Sequence, residues 1–503
     1  MAKGSATSPS SRLPRPTLAL LLAIVLVGLA PRAWRLTTPG LTSDEAFSWR
    51  LARYPAAEML GRAAQDVHPP LYYLVLLGWL DAFGEGTGAL RGLSVILGLC
   101  AIVLAFAVVG EAARLDGRDA DRPAGLFAAL LLALHATQVL QSRNARMYAL
   151  GTALALGSAW LLLRAHRATG RRLAWWTAWG LAAAAAVATH YYLLFTVAAQ
   201  AGWAVVRARR RPGGARELVL AAAVAAVVLA PWAPMLWRQA RQVRAEYWIP
   251  PATPSALFEG IARWALGRDA GGASIAVAVL VVASLVTAAW SGHAGRFFSL
   301  QAAAPWVLGL LVSLASRRPI VLERYMVFAQ AFLVCAWAVA LTRAGSRIAW
   351  VAAAALAGVL AVGLAFTLRT YPPEPPALAT AARFLKRQAG ESDLVVVESP
   401  RVLNKLRYYA RQVDGGRLDI RAALPERVPL SPYVSHVVSL AASDAVPADA
   451  VFASGASTIW RGRESTAPPD PAPAGWTITY ARLFEGGEDT RFALTRYQRA
   501  AAP

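Results

Sequence analysis

Cysteine is almost missing from this chain: its 503 residues include two, Cys100 and Cys335, and both fall inside apolar runs. That excludes a disulfide scaffold and a cysteine-clustered metal site. Charge is sparse, at 16% of residues, and negative charge is the sparser kind, with 29 Asp and Glu against 51 Lys and Arg. A chain so poor in charge does not read as an ordinary soluble protein. The sequence has no P-loop, no dinucleotide-type GxGxxG and no HExxH, which removes the usual signs of nucleotide binding and of zinc peptidases. No ladder of charges runs through the apolar segments, as a proton-coupled transporter would need.

What fills the chain instead is apolar surface: 57% of residues are hydrophobic and the mean hydropathy is +0.42. The apolar runs reach the roughly 20 residues that a membrane-crossing helix requires. The chain therefore reads as a mainly α, polytopic membrane protein, with the lipid bilayer as its first partner. The net charge of +22 is not taken as a nucleic-acid signature, because the arginines form no single basic domain. They punctuate the hydrophobic spans, as membrane topology requires. Lys3, Arg12 and Arg15 precede the first run, and no convincing small-residue cleavage site follows it. The reading is an uncleaved first helix with residues 1–15 in the cytoplasm.

Eleven crossings are expected, near 16–35, 88–112, 122–141, 146–165, 173–189, 191–207, 217–236, 271–290, 297–315, 325–342 and 348–368. Arginine-rich connectors lie at Arg114 to Arg122, Arg164 to Arg172, Arg207 to Arg216 and Arg343 to Arg347. If all four are cytoplasmic, an even number of crossings separates each from the next, and these spans satisfy that. The parity leaves Leu71 to Phe83 as an apolar helix too short to cross, lying in or dipping into the outer leaflet. A first outer loop then runs over 36–87, where Phe47, Leu51 and Tyr54 have the spacing of a helix laid on the membrane surface. The transmembrane domain covers 16–369 and the proline-rich stretch 370–376 is a stiff linker. Residues 377–503 read as a small extracytoplasmic α/β domain: a helix over Leu378 to Gln388, a strand over Asp393 to Val397, and two strands, Trp476 to Tyr480 and Phe492 to Tyr497, around Glu485 to Glu488.

Asp44 and Glu45 are adjacent just after the first span, and on a helix would point about 100° apart. One could take a proton from an acceptor hydroxyl while the other orients it. The same residues read equally as a capped helix start, with Ser43 or Asp44 as the cap and acidic residues in the first turn. His68-Pro69-Pro70 opens the short apolar helix and would fix His68 near the membrane surface, to bind a phosphate or donate a proton or simply to sit exposed there. Arg143 and Arg146 share one helix face between two apolar helices, suited to a phosphate or to interfacial anchoring. His190, in Thr189-His190-Tyr191-Tyr192, sits at another outer turn where an aromatic belt is the plainer reading. Arg324, at the start of the tenth span, is a second phosphate candidate. Pro231-Trp232 and Tyr247-Trp248 either line an acceptor groove or anchor the interface.

Taken together, Asp44-Glu45 after the first span, His68-Pro69-Pro70-Leu71, Arg91 with Ser94, the turn from Ser142 through Arg146 to Tyr148, and Arg324-Tyr325 resemble the GT-C class of membrane glycosyltransferases. More narrowly, they resemble the protein O-mannosyltransferase and aminoarabinose (lipid A) transferase-like group, over residues 15 to 345. The resemblance implies transfer of a sugar, hexose or pentose, from a polyprenyl-phosphate donor to a lipid, glycan or protein acceptor on the outer face of the cell membrane, with inversion. It implies Asp44 as base with Glu45 as its helper, and His68, Arg91, Arg143, Arg146, Tyr148, His190 and Arg324 as residues for donor phosphate and substrate. It admits a divalent cation and implies no other cofactor. Members often carry an acidic residue near the position of Arg146 to Tyr148, and this chain has none there, so a two-carboxylate metal site is not expected. The competing readings are a flippase or transporter of a lipid-linked sugar and a non-catalytic membrane scaffold.

Overall fold

A computed structural model of the chain describes residues 13–119, 121–209, 213–245, 249, 253–370, 376–425, 436–486 and 491–500. The N-terminal Lys3 and Arg12, Tyr247-Trp248, the linker over 371–375 and the Gly487-Glu488 turn lie outside the described residues. Helix α1 (Arg15–Ala33) carries Pro16 in its first turn, where the missing N–H is not needed. The connection to α5 (Thr87–Ala113) holds α2 (Ser43–Leu51), α3 (Ala56–Ala63) and α4 (Leu71–Phe83). Next come α6 (Arg122–Leu134) and α7 (Ala136–Ser142), bent by 66° across His135, then α8 (Tyr148–Arg167), α9 (Arg172–Thr189), α10 (Leu193–Ala208), α11 (Gly214–Leu229) and α12 (Ala233–Ala245). Helices α13 (Pro254–Leu266), α14 (Ser274–Trp290), α15 (His293–Ser316), α16 (Val327–Ala344) and α17 (Arg347–Arg369) complete the bundle.

All eleven expected crossings are helical. Among the described residues eight helices are long and apolar enough to cross a membrane, or nine if the bent α6–α7 pair is one span. The other two segments fall short for local reasons. Helix α10 has 16 residues, and α9 opens on Arg172 and carries Trp175, Trp176 and Trp179, which dilute its apolarity. Helix α16 is the central post, with every residue from Val327 to Val339 buried. Gly180 lets α9 and α11 approach backbone to backbone: a Cβ there would lie 2.5 Å from the Ala221 carbonyl oxygen.

The arginine-rich connectors gather at one end of the bundle, as their parity requires. Glu111 accepts from Arg114 and Arg167, Arg343 spans Asp116 and Asp121, and Arg172 meets Glu217. The opposite end carries α2–α4 and the C-terminal domain. That domain contains α18 (Ala377–Gln388), α19 (Pro400–Asp414) and strands β1 (Leu394–Val397), β2 (Asp419–Leu424), β3 (Ala445–Pro447), β4 (Thr458–Arg463), β5 (Trp476–Glu485) and β6 (Arg491–Arg499). Its sheet runs β3-β2-β1-β4-β6-β5, parallel through β4 and antiparallel at β6 and β5. Strand β1 is covered on both faces and reads accordingly as an unbroken apolar run.

The surface helix expected around Phe47 is instead buried. Phe47 and Leu51 are 3% and 0% exposed, packed in a cluster with Tyr72, Tyr73 and Leu76 of α4 and Tyr408 of α19. The apolar spacing that suggested a lipid face serves the junction between bundle and C-terminal domain. Tyr409 Oη accepts from the Leu41 N–H at 2.7 Å, Tyr54 Oη donates to the Ser439 carbonyl at 2.9 Å, and Arg50 meets Asp444 at 2.7 Å.

Candidate active site

Helix α2 starts with a capping box: Thr42 Oγ1 accepts from the Glu45 N–H at 3.1 Å and Glu45 Oε2 accepts from the Thr42 N–H at 3.0 Å. This turn rotates the two acidic residues apart. Glu45 is 1% exposed and takes both Nε and Nη2 of Arg91 at 2.8 Å, while its Oε1 also accepts from the Ala145 N–H at 3.1 Å. Asp44 points the other way, its side chain half exposed, into an open cleft. The cleft is lined by Asp44 and Phe47 of α2, Asp66 and His68 before α4, Arg146 and Tyr148 at the head of α8, Arg324 and Tyr325 before α16, and Arg401 and His436 of the C-terminal domain.

The structure therefore brings together Asp44, His68, Arg146, Tyr148 and Arg324, and separates Glu45, Arg91 and Arg143 from them. Glu45 is not beside an acceptor; its oxygens are consumed by the cap, the Ala145 amide and the buried fork of Arg91. Arg91 binds no cleft ligand, since Nη1 and Nη2 also donate to the carbonyls of Leu36, Pro39 and Gly40. Arg143 is spent on carbonyls at the end of α1, that of Pro31 in its last turn and that of Trp34 just past it. His190 lies behind the wall, 4% exposed, its ring 5.9 Å from Tyr148 and 5.2 Å from Tyr325.

His68 faces the cleft within a chain of hydrogen bonds. Its Nδ1 lies 2.9 Å from Asp66 Oδ2 and its Nε2 lies 3.4 Å from Arg146 Nη2. With Nδ1–H donating to Asp66, Nε2 is left to accept from the guanidinium, so His68 orients Arg146 and its Nε2 is already occupied. Arg146, 3% exposed, also donates to Ser48 Oγ at 3.1 Å and to the Asp44 carbonyl at 3.4 Å. The Arg146 charge holds the Asp44 carboxyl below the usual carboxylate range; burial opposes this, and the Arg324 charge adds to the lowering. Asp44 is thus ionised and ready to accept a proton.

Asp66, Arg401 and His436 had not been singled out in the sequence. Asp66 stood two residues before His68 and could have been read with it. Nothing local marks the other two, which arrive by docking of the C-terminal domain. As for a cation, no group of three or more His, Cys, Asp or Glu among the described residues is placed to hold a metal ion. In the cleft Asp66 is engaged by His68, and arginines line the walls. This donor set does not fit a resident metal.

Residues 67–237 match the model of a family described as dolichyl-phosphate-mannose-protein mannosyltransferase. The whole fold is similar to that of ArnT from Cupriavidus metallidurans. The apo structure aligns with a TM-score of 0.62 and 15% identity over 95% of this chain and 97% of that one. The undecaprenyl phosphate-bound structure aligns with a TM-score of 0.61 and 15% identity over 96% and 98%. The oligosaccharyltransferase of Archaeoglobus fulgidus, in complex with Zn and sulfate, aligns with a TM-score of 0.51 and 12% identity over 88% of this chain and 67% of that one. No curated protein matches by sequence. The fold is thus that of GT-C membrane glycosyltransferases, the group to which the sequence pointed.

Proposed function

We propose that this protein is an inverting membrane glycosyltransferase that moves a sugar from a polyprenyl-phosphate donor to a cell-envelope lipid, glycan or protein. The observation that carries the proposal is the pairing of an ionised carboxylate, Asp44, with Arg146 and Arg324 around one cleft. The family match supports the reaction class, and the likeness to an ArnT structure bound to undecaprenyl phosphate supports the donor class. The arginine connectors at the far end of the bundle support a cytoplasmic N-terminus and a cleft and C-terminal domain on the outer side of the cell membrane.

The chemistry needs little beyond these groups. A sugar phosphodiester already carries a good leaving group, so the protein must take the acceptor's proton and stabilise the phosphate that departs. Asp44 accepts the hydroxyl proton as the new glycosidic bond forms. The bond from the anomeric carbon to phosphate oxygen breaks on the opposite face, which inverts the centre. Arg146, buttressed by His68 and Ser48, and Arg324 receive the growing charge on the phosphate. Tyr148 and Tyr325 line the cleft together with Arg324, whose guanidinium lies over the Tyr325 ring.

The test is transfer from a panel of polyprenyl-phosphate sugars by purified protein, with product analysis. Asp44→Asn is expected to lose roughly 10²–10⁴ in kcat, the range for removing a positioned base, at unchanged thermal stability. Full activity in that variant would remove Asp44 from its role. Failure of the wild type with every donor would overturn the reaction class.

A further inference from the structure

His436 enters the cleft from the C-terminal domain. Its ring packs against Phe47, centroids 4.8 Å apart, and its Nε2 lies 3.7 Å from Asp44 Oδ1. Among the described residues this is the one Arg, Lys or His nitrogen within 4 Å of the Asp44 carboxylate, which has no side-chain hydrogen bond of its own. The backbone of His436 sits at φ +63°, in the left-handed region, which a non-glycine residue holds only where its surroundings impose it. Here they do. The His436 carbonyl accepts from both the N–H of Ser439 at 3.1 Å and its Oγ at 2.7 Å, and that Oγ accepts in turn from Asn404 Nδ2 of α19 at 2.8 Å. On the bundle side, Tyr54 and Arg62 hold the carbonyls of Ser439, Val438 and Leu440. The turn is pinned from both sides with the imidazole aimed at the base. Its Nδ1 is buried without a hydrogen-bond partner among the described residues.

We infer that His436 is a positioning residue for Asp44, so that the C-terminal domain is a working part of the active site rather than an appendage. This rests on the glycosyltransferase reading. The half-exposed Asp44 carboxylate can rotate away from the acceptor. An imidazole N–H facing Oδ1 biases it toward the orientation in which the other oxygen meets the hydroxyl. Burial pulls the His436 imidazole down to about 4, and of the groups around it Asp44 and Asp66 oppose that while Arg401 and Arg146 add to it. It therefore acts as a neutral donor at neutral pH and does not compete with Arg146 and Arg324 for the phosphate.

Two variants of the full-length protein separate this role from simple docking. His436→Phe keeps a ring against Phe47 and removes the nitrogen; His436→Gln loses the ring and keeps an N–H. With a polyprenyl-phosphate sugar that the wild type uses, His436→Phe is expected to lower kcat about 10- to 100-fold, the scale of a group displaced by about 1 Å. Donor KM and thermal stability should stay at wild-type values, and His436→Gln should remain within about threefold of wild-type kcat. Wild-type kcat in His436→Phe overturns the inference, as does an equal loss in both variants. A wild type that transfers from no donor overturns the inference together with the glycosyltransferase reading on which it rests.

Discussion

At the scale of the residue, Arg146 determines the charge state of Asp44, the proposed base. Asp44 titrates below the usual carboxylate range chiefly because of the Arg146 guanidinium, so the group stays ionised through neutral and mildly acid pH. Activity should be lost only as pH falls through that depressed value. Arg146→Gln removes the largest lowering influence, so the Asp44 value must rise and the acid limb of kcat/KM must move to higher pH. The residual rate should also drop, by about 10²–10³, if the same side chain receives the departing phosphate. An acid limb that does not move in Arg146→Gln would separate Asp44 from that limb. Asp44 itself was legible because a carboxylate pair just after a membrane span is costly without a purpose. Which of the pair faces the cleft was not legible, since that depends on Thr42 capping the helix in place of Ser43 or Asp44.

At the scale of the element, the Glu45–Arg91 pair ties the turn before α2 to α5. The side chains are 1% and 4% exposed, and the guanidinium also gathers three carbonyls from the chain between α1 and α2. Removing one partner of such a pair leaves the other charge buried, a loss of about 3–5 kcal/mol. Arg91→Ala should therefore lower the thermal midpoint in detergent and loosen residues 36–45 toward protease. Equal midpoints for Arg91→Ala and wild type would reduce the pair to a surface contact. The sequence revealed the long bundle helices through their apolar length, and it revealed α4 from Leu71 to Phe83 because Pro69-Pro70 opens an apolar run too short to cross. It did not reveal α19, β2, β3 or β4. Helix α19 carries basic residues among its apolar positions, and the strands are short pieces of a mixed sheet whose pairing is non-local.

At the scale of the whole molecule, the candidate cleft is a junction between the helical bundle and the C-terminal domain, and Asp444 holds them together. It takes Arg50 of α2 at 2.7 Å and Arg407 of α19 at 2.5 Å, with its own side chain 6% exposed. No pattern along the chain could show this, because the three residues meet only after the C-terminal domain folds and docks. Burial pushes the Asp444 carboxyl up. The Arg407 hydrogen bond, the Ala441 N–H and the charges of Arg407 and Arg50 outweigh that and hold it below the usual range. The sign follows: its stabilisation is fully present above the normal carboxylate value of about 3.9 and is lost as pH falls through the lower native one. Asp444→Asn leaves two guanidiniums facing a neutral amide and should cost the junction about 1.5–3 kcal/mol. Hydrogen exchange should then quicken over α2 and residues 436–444 while α16, at the centre of the bundle, keeps its protection. Sugar transfer should fall with it, because His436 and Arg401 reach the cleft only when the domain is docked. If exchange at the junction quickens and transfer does not change, the cleft works without its C-terminal wall, and the active site belongs to the helical bundle alone.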